Sequence, residues 1–340
     1  MSVSTIDRYD IGESYEWNYQ HGPDSTQHVE VPDVPGHWTF CGLPVASPLG
    51  MPAGPLLNSR WILHYAALGF DVLTYKTVRS CFRASYDPPN LLPVAPTVLT
   101  GEGAELTAAA SGDTWAISFG MPSRDPSEWR PDVERARRGL RARQILSVSV
   151  VASPQTGWTM SQLADDFAQC AMWAADAGAQ VVEANLSCPN VCTKEADLYL
   201  SPEAASEIAS TIRARLPREV PLAVKIGLFQ TEQQAAAVLR ALAPFATAVS
   251  STNSITATVR DQFGGLKRGI GGAATTARCL SELVMLSRLA SGLELIGVGG
   301  VMNTRDVRDR LAAGAENVHL ATAPMLDPLI GLRIRRELSL

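Results

Sequence analysis

The sequence has no apolar run near the roughly 20 residues that a membrane-spanning helix needs. Its first residues, MSVSTIDRYDIGESYEWNYQHGPD, are polar and acidic, and they lack the basic and apolar regions of a signal peptide. A basic excess is missing too, since 29 lysines and arginines stand against 34 aspartates and glutamates. A nucleic-acid surface requires such an excess. We therefore expect a soluble, cytoplasmic protein with no membrane or nucleic-acid partner.

Cysteine is also scarce, with six residues scattered over 340 positions. This distribution does not predict a disulfide framework. Cys188 and Cys192 are the only close pair, and no second Cys or His pair stands at ligand spacing. No Cys-rich segment is present to hold an iron–sulfur cluster. We expect no metal site in this chain.

What the sequence does contain is an alternation of short β-branched runs with longer helical patterns. Hydrophobic residues make up 46% of the chain, enough for a sizeable core. Eight segments are predicted strands: 47–53, 71–77, 145–151, 181–187, 222–228, 248–254, 293–299 and 317–323. Eight parallel strands with helices between them predict an α/β fold, a closed (β/α)8 TIM barrel, because a doubly wound sheet needs fewer strands.

The predicted domain organisation is a barrel of residues 43–340 preceded by an N-terminal extension of residues 1–42. The extension is polar, dotted with aromatics and without a clear period, so it either wraps the domain or serves an interface. Residues 78–144, rich in proline and turn formers, form a long insertion after strand two. Loops after barrel strands carry the chemistry, so this insertion is a candidate lid or substrate wall. The alternative is a plain surface loop.

Two lysines occupy predicted strands. Lys76 ends strand two, and Lys225 lies within the apolar run LAVKIGL of strand five. A lone lysine in such a strand costs several kcal/mol unless an anion or acceptor meets it. The pair suggests one shared electron-rich partner, although two structural salt bridges would also explain it.

Two glycine-rich segments precede predicted helices late in the chain. They are GIGG (269–272), before a helix that begins near Thr275, and GVGGVMNT (297–304). Backbone N–H groups at helix starts bind phosphate, and glycine lets the main chain approach the ligand. Two such loops, after strands six and seven, match the usual phosphate corner of a barrel.

Several motifs together carry a family resemblance. The first of them is EANLSCPN (183–190). The others appear along the chain in the order found in one family: PLGMPAG (48–54), TYKT (74–77), AVKI (223–226), STNSI (251–255), GIGG (269–272), IGVGG (296–300) and LATAP (320–324). Over roughly residues 43–340 the chain resembles the soluble, cysteine-type dihydroorotate dehydrogenases. The resemblance implies an FMN-dependent oxidoreductase that interconverts a C–C single and double bond next to a carbonyl. It also implies a homodimer.

The resemblance further implies a role for individual residues. Lys76 and Lys225 would face the isoalloxazine ring and stabilise the reduced flavin. The FMN site would be formed by Ala53, Gly54, Lys76, Thr77, Asn185, Lys225, Gly272, Gly299, Gly300, Ala321 and Thr322, the last five holding the phosphate. A planar cyclic substrate would be hydrogen-bonded by Asn185, Asn190, Asn253 and Ser254.

Cys188 would be the general base. It would remove a proton from one carbon while a hydride leaves the neighbouring carbon for the flavin N5, and nearby lysine charge would favour its thiolate. The alternative for Cys188 is an inert buried thiol. Cys192 is interpreted as structural.

One segment departs from the family pattern. In AISFGMPS (116–123), Ile117 stands where the family carries a substrate-binding asparagine, and Ser123 replaces a further asparagine. Arg79 and Arg83, in the segment after Lys76, could meet a carboxylate or face solvent. The expected substrate is dihydroorotate or a related cyclic amide.

The expected electron acceptor is a soluble one, such as fumarate or oxygen. Two other classes of function stay open at this point: a phosphosugar isomerase or lyase on the same barrel, and a non-catalytic barrel scaffold. Visible flavin absorbance separates the first of these from a flavoprotein.

Overall fold

The computed structural model describes residues 6–23, 29–95, 98–187, 197–290 and 292–340. The α-helices of these residues are α1 (Tyr15–Gln20), α2 (Ser59–Ala67), α3 (Pro126–Gly139), α4 (Met160–Asp176), α5 (Pro202–Arg215), α6 (Glu232–Leu242), α7 (Thr276–Leu289), α8 (Thr304–Ala312), α9 (Thr322–Leu326) and α10 (Ile330–Leu338). The strands are β1 (Trp38–Phe40), β2 (Leu43–Val45), β3 (Leu49–Met51), β4 (Val72–Val78), β5 (Leu91–Pro93), β6 (Ala104–Leu106), β7 (Thr114–Ile117), β8 (Ile145–Val150), β9 (Val181–Asn185), β10 (Leu222–Ile226), β11 (Ala248–Ser251), β12 (Ile255–Val259), β13 (Arg268–Gly272), β14 (Glu294–Val298) and β15 (Asn317–His319). No helix among these described residues is both long enough and apolar enough to span a bilayer.

Eight of these strands close into a barrel. In spatial order they are β3, β4, β8, β9, β10, β11, β14 and β15, and β15 pairs with β3 to complete the ring. All eight pairings are parallel. Each predicted strand segment overlaps one barrel strand, and β4 extends one residue beyond its predicted end, to Val78. The strands are buried on both faces, which explains their nearly continuous apolar runs. The predicted (β/α)8 barrel is confirmed.

Amphipathic helices cover the outside of the barrel. Helix α4 is an example: Thr159 and Gln162 form a capping box at its start, and Phe167, Cys170 and Ala171 lie on its buried face. Helices α4, α5 and α6 pack side by side in chain order. Each therefore shields the strand pair that it connects.

An antiparallel hairpin of β1 and β2 closes the N-terminal end of the barrel. Phe40 and Val45 pack against the first residues of barrel strands, among them Val72 and Ile145. Glu294, which begins β14, accepts hydrogen bonds from the backbone N–H groups of the hairpin turn at 2.7 and 2.9 Å. The hairpin spans the predicted boundary between residues 42 and 43, and the division into extension and barrel stays a prediction.

A second sheet lies over the other end of the barrel, with strand order β5-β7-β13-β12-β6. The insertion after β4 supplies β5, β6 and β7, and the segment after β11 supplies β12 and β13. The sequence predicts a loop at GIGG (269–272), but these residues form the end of β13. Gly271 and Gly272 pair with Trp115 and Thr114 of β7. Glycine is a poor strand former, so the glycine run alone does not predict a strand. The strand is recognised only from its pairing with β7.

The described N-terminal residues pack on the insertion. The backbone N–H of Tyr15 donates to Asn90 Oδ1 at 2.7 Å, and Asn90 Nδ2 donates to the carbonyls of Tyr86 and Ser118. The Tyr15 ring meets the Phe119 ring edge-on, with centroids 5.7 Å apart. These contacts hold helix α1 against the insertion that supplies β5, β6 and β7.

Candidate functional site

A cavity with about 970 Å³ of space not filled by protein atoms lies between the carboxyl ends of the barrel strands and the second sheet. Active sites of this fold occupy that end of the barrel. Of the residues proposed from the sequence, thirteen line the cavity: Ala53, Gly54, Lys76, Thr77, Asn185, Lys225, Asn253, Ser254, Gly272, Gly299, Gly300, Ala321 and Thr322. The other two, Cys188 and Asn190, lie outside the described residues.

One corner of the cavity is built from bare backbone. Gly272, Gly299 and Gly300 all have positive φ, at 103°, 96° and 65°. A Cβ on Gly272 would come within 2.0 Å of the Asp113 carbonyl oxygen, and one on Gly300 within 2.4 Å of the Thr276 nitrogen. Side chains are therefore excluded at these positions, and a ligand can approach the main chain directly.

The loops of this corner are tied to the start of helix α7. Thr276 Oγ1 donates to the carbonyls of Ala273 and Gly300 at 2.8 and 2.6 Å, and Thr275 Oγ1 donates to Gly272 O at 2.8 Å. A short 3-10 turn leads into α7: among the described residues no side chain caps the helix, and the Thr276 N–H donates to the Ala273 carbonyl. The start of α8 differs, because Asn303 caps it by accepting from the Asp306 N–H. GVGGVMNT thus contributes its glycines to the corner, whereas α8 begins with its own cap.

Both lysines enter the cavity from the barrel strands. Lys76 (β4) and Lys225 (β10) are 8% and 6% exposed, and Lys76 Nζ lies 5.3 Å from the centroid of the Phe119 ring. In the register of β10 and β9, Lys225 stands beside Asn185. Two cations at the floor of one cavity favour a ligand that carries or develops negative charge.

Amide and hydroxyl groups surround the lysines. Asn185 Oδ1 accepts from Asn253 Nδ2 at 3.4 Å, and Asn185 Nδ2 lies 3.5 Å from Thr77 Oγ1. Thr77 Oγ1 in turn donates to Ser149 Oγ at 3.1 Å. The buried Ser254 hydroxyl has no hydrogen-bond partner among the described residues. These groups offer a planar polar ligand several donors and acceptors.

The ceiling of the cavity is apolar, and sequence reasoning missed most of it. Trp115, Ile117, Phe119 and Met121 from β7 and the residues after it line the cavity together with Leu91. The signal was present in TWAISFGM, where large apolar residues alternate with small ones at the period of a strand. The insertion thus contributes a wall of the cavity, as expected for a candidate substrate wall.

Ser123 of the departing segment and Arg79 of the segment after Lys76 do not line this cavity. Ser123 Oγ accepts from the Arg79 N–H at 3.0 Å and donates to the Arg124 carbonyl at 2.8 Å. Arg79 is buried rather than solvent-facing, and it donates to the carbonyls of Met121 and Ala152. Both side chains hold the loop in place, whereas Ile117 faces the cavity.

The described cysteines do not offer an alternative base. Burial raises the pKa of the Cys41, Cys170 and Cys279 thiols, and Cys81 is exposed. None of the four lines the cavity. The role of general base therefore stays a prediction for Cys188.

The residues present fit a flavin mononucleotide. The glycine corner suits a phosphate, the floor carries positive charge, and the apolar ceiling suits one face of a stacked ring system. Fold and site together define a barrel enzyme with a phosphate corner beside a cationic, aromatic-lined reaction space.

Comparison with known proteins identifies the family. The dihydroorotate dehydrogenase family model matches residues 37–340, and the chain belongs to this family. Proteins of the family are flavoproteins.

Curated relatives agree with this assignment. The chain is 32% identical to dihydroorotate dehydrogenase of Dictyostelium discoideum over 359 aligned positions, covering 96% of this chain and 95% of the relative. It is also 32% identical to the catalytic subunit of dihydroorotate dehydrogenase B (NAD(+)) of Geobacter sp. strain M21, over 48% of this chain and 54% of that one.

Solved structures match the fold. Two crystal structures of dihydroorotate dehydrogenase from Eimeria tenella, one ligand-free and one with ferulenol, superpose with TM-scores of 0.78 and 0.77. Each match covers 95% of this chain, with 91% and 88% of the respective structure, at 18% and 17% identity.

Proposed function

We propose that this protein is an FMN-dependent dihydroorotate dehydrogenase. The observation that carries the proposal is that thirteen residues proposed from the sequence line one cavity, in a chain that belongs to this family. These residues come from β4, β9, β10, β13, the loops after β3, β11, β14 and β15, and the start of α9.

Each part of the cavity has a task in this proposal. Gly272, Gly299, Gly300, Ala321 and Thr322 would hold the FMN phosphate, and Ala53, Gly54 and Thr77 would contact its ring. FMN supplies the hydride acceptor when it is bound. Lys76 and Lys225 stabilise the negative charge that the ring system gains on reduction. The apolar ceiling excludes water from the reacting atoms.

The substrate is held and deprotonated by the polar residues. Asn185, Asn190, Asn253 and Ser254 hydrogen-bond the dihydroorotate ring. Cys188, as a thiolate, takes the proton from one carbon, and the hydride leaves the neighbouring carbon. The product carries a C–C double bond conjugated with the ring carbonyl.

A related cyclic amide is the second candidate substrate, and Ile117 favours it. This side chain lies at the ceiling, where a Cβ on Gly271 would come within 3.2 Å of its Cδ1. An isoleucine offers no hydrogen bond to a polar ring edge, so a substrate with an apolar edge there fits this side chain better.

The proposal also includes an electron acceptor, an oligomeric state and a cellular location. A soluble acceptor such as fumarate, or oxygen, reoxidises the flavin, and the protein acts as a homodimer in the cytoplasm. The resemblance to soluble, cysteine-type family members supports all three statements.

The test is the visible spectrum and activity of the purified protein. We expect flavin absorbance, and protein stripped of flavin should recover this spectrum with added FMN. Dihydroorotate should then be oxidised with fumarate or oxygen as acceptor. A colourless protein that takes up no FMN contradicts the proposal, and catalysis on a sugar phosphate by such a protein would establish the isomerase or lyase alternative.

A further inference from the structure

The interior of the barrel contains a polar layer that the proposed reaction does not use. Thr74, Ser147, Glu183, Ser250 and His319 come from five different strands, and each is 2% exposed or less. Barrel interiors are usually filled by bulky apolar side chains. Five polar side chains at this depth therefore call for a physical reason.

Strand alternation places these residues inside the barrel, above the hairpin. Thr74, Ser147, Glu183 and Ser250 each stand two positions after a residue that packs with the hairpin: Val72, Ile145, Val181 and Ala248. His319 stands two positions after Asn317, whose side chain donates to the Thr39 carbonyl in the hairpin. Side chains two apart on a strand share a face.

The same alternation links the layer to the cavity. Two positions beyond Thr74 and Glu183 come Lys76 and Asn185, and both line the cavity. The layer thus lies between the hairpin and the proposed flavin site.

Hydrogen bonding in this layer is incomplete. Glu183 Oε1, the Thr74 and Ser147 hydroxyls and both ring nitrogens of His319 are buried polar atoms with no hydrogen-bond partner among the described residues. Hydrogen bonds from the Ser149 and Ser250 hydroxyls to the Glu183 carboxylate oppose the rise of its pKa. Buried polar atoms in folded proteins almost always have a partner, which is either protein or ordered water. A cluster facing one interior space indicates bound water molecules that join these groups.

The positive charge of Lys225 acts on two side chains of this layer, Glu183 and His319. Its ammonium acts on Glu183, where burial raises the carboxyl pKa and the lysine charge opposes that rise. Burial, aided by the charge of Lys225, lowers the pKa of His319 to about 3, so the imidazole is neutral. Among the described residues on the inward faces of the barrel strands, Lys76 lies on the cavity side, and Glu294 lies at the hairpin end, where it accepts from two backbone N–H groups. Within the layer, Glu183 is therefore the carboxylate that offsets the positive charge of Lys225 from the hairpin side.

We propose that Glu183 is a positioning residue for Lys225: through a hydrated layer with His319 and the three hydroxyls, it holds the ammonium under the flavin and offsets part of its charge. This inference rests on the proposed FMN site. It predicts that Glu183 lowers the reduction potential of the bound flavin by acting through Lys225.

The experiment measures the flavin midpoint potential of the holoenzyme, wild type against Glu183→Gln. We expect the ratio of affinities for reduced over oxidised flavin to rise at least tenfold, which is about 30 mV for a two-electron couple. Glu294→Gln makes the same charge change at the hairpin end of the barrel and should leave the potential at the wild-type value. In a Lys225→Met background, Glu183→Gln should have no further effect.

Several outcomes overturn the inference. An unchanged potential in Glu183→Gln with FMN bound removes the role of Glu183 and leaves the proposed function standing. A full shift in the Lys225→Met background shows that Glu183 does not act through Lys225. Wild-type protein that binds no FMN overturns the proposed function itself. If Glu183→Gln does not fold, Glu183→Asp decides: its carboxylate is withdrawn by one methylene, so the potential should rise, and an unchanged value contradicts the inference.

Discussion

Ile117 is the residue at which this chain departs most clearly from its family's substrate site. If dihydroorotate is the substrate, one polar group of its ring lies against an isoleucine, and an unpaired buried group costs roughly 1–3 kcal/mol. Ile117→Asn should therefore lower KM for dihydroorotate by about 5- to 150-fold. Steady-state kinetics with varied dihydroorotate measures this.

Ile117→Val is the matched control, because it changes the volume at this site without adding a donor or acceptor. It should leave KM within a few-fold of wild type. Equal gains from valine and asparagine would show that space, rather than hydrogen bonding, limits binding at Ile117.

Cys188 carries the proton transfer in the proposed mechanism. Cys188→Ala should keep its FMN spectrum but lose at least about 100-fold in turnover at neutral pH, because no other group takes the proton. Turnover and flavin content are measured on the same preparation. The exposed Cys81→Ala should match wild type, and a Cys188→Ala variant with normal turnover would remove this residue from the mechanism.

At the scale of the elements, the glycine corner depends on the close approach of the β14–α8 loop to the start of α7. Gly300→Ala should raise the FMN dissociation constant at least about tenfold, since its Cβ would lie 2.4 Å from the Thr276 nitrogen and push the two elements apart. Titration of flavin-stripped protein with FMN measures the constant.

Gly157→Ala separates backbone strain from this clash. Gly157 has a φ of 84°, similar to Gly300, but a Cβ there would meet nothing within 4 Å. This control should lose about 1 kcal/mol of stability and keep the wild-type FMN affinity. Equal losses of FMN affinity in both variants would contradict the account of the corner.

The sequence predicted the barrel elements well because their signals are local. Each barrel strand is a short apolar run whose residues are buried on both faces, and the polar and glycine residues of the site follow those runs directly. The second sheet was missed because its strands pair across long separations. The pairing of Gly269–Gly272 with residues 114–117 cannot be seen in either segment alone. The apolar ceiling was missed for the same reason, since Phe119 reaches the cavity only when β7 is placed over the barrel.

At the scale of the whole molecule, the polar interior of the barrel links stability to pH. The pKa of His319 is lowered to about 3 in the folded protein, against an ordinary value of 6.5. Between these values the unfolded chain binds a proton that the folded protein does not, so the free energy of unfolding falls as pH falls. The loss is absent above pH 6.5 and reaches roughly 3 kcal/mol by pH 4.

Urea unfolding at several pH values tests this linkage. His319→Gln should show a shallower fall of the unfolding free energy between pH 6.5 and 4 than wild type does. The exposed His37→Gln should show the wild-type slope. Parallel slopes for His319→Gln and wild type would mean that His319 is not held neutral by its burial.

Anaerobic mixing of the holoenzyme with dihydroorotate shows whether this substrate reduces the bound flavin. We predict that the visible flavin band bleaches within a single turnover, and that Cys188→Ala bleaches at least about 100-fold more slowly. A yellow protein that stays oxidised with dihydroorotate, while a chemical reductant still bleaches it, would contradict dihydroorotate as the substrate.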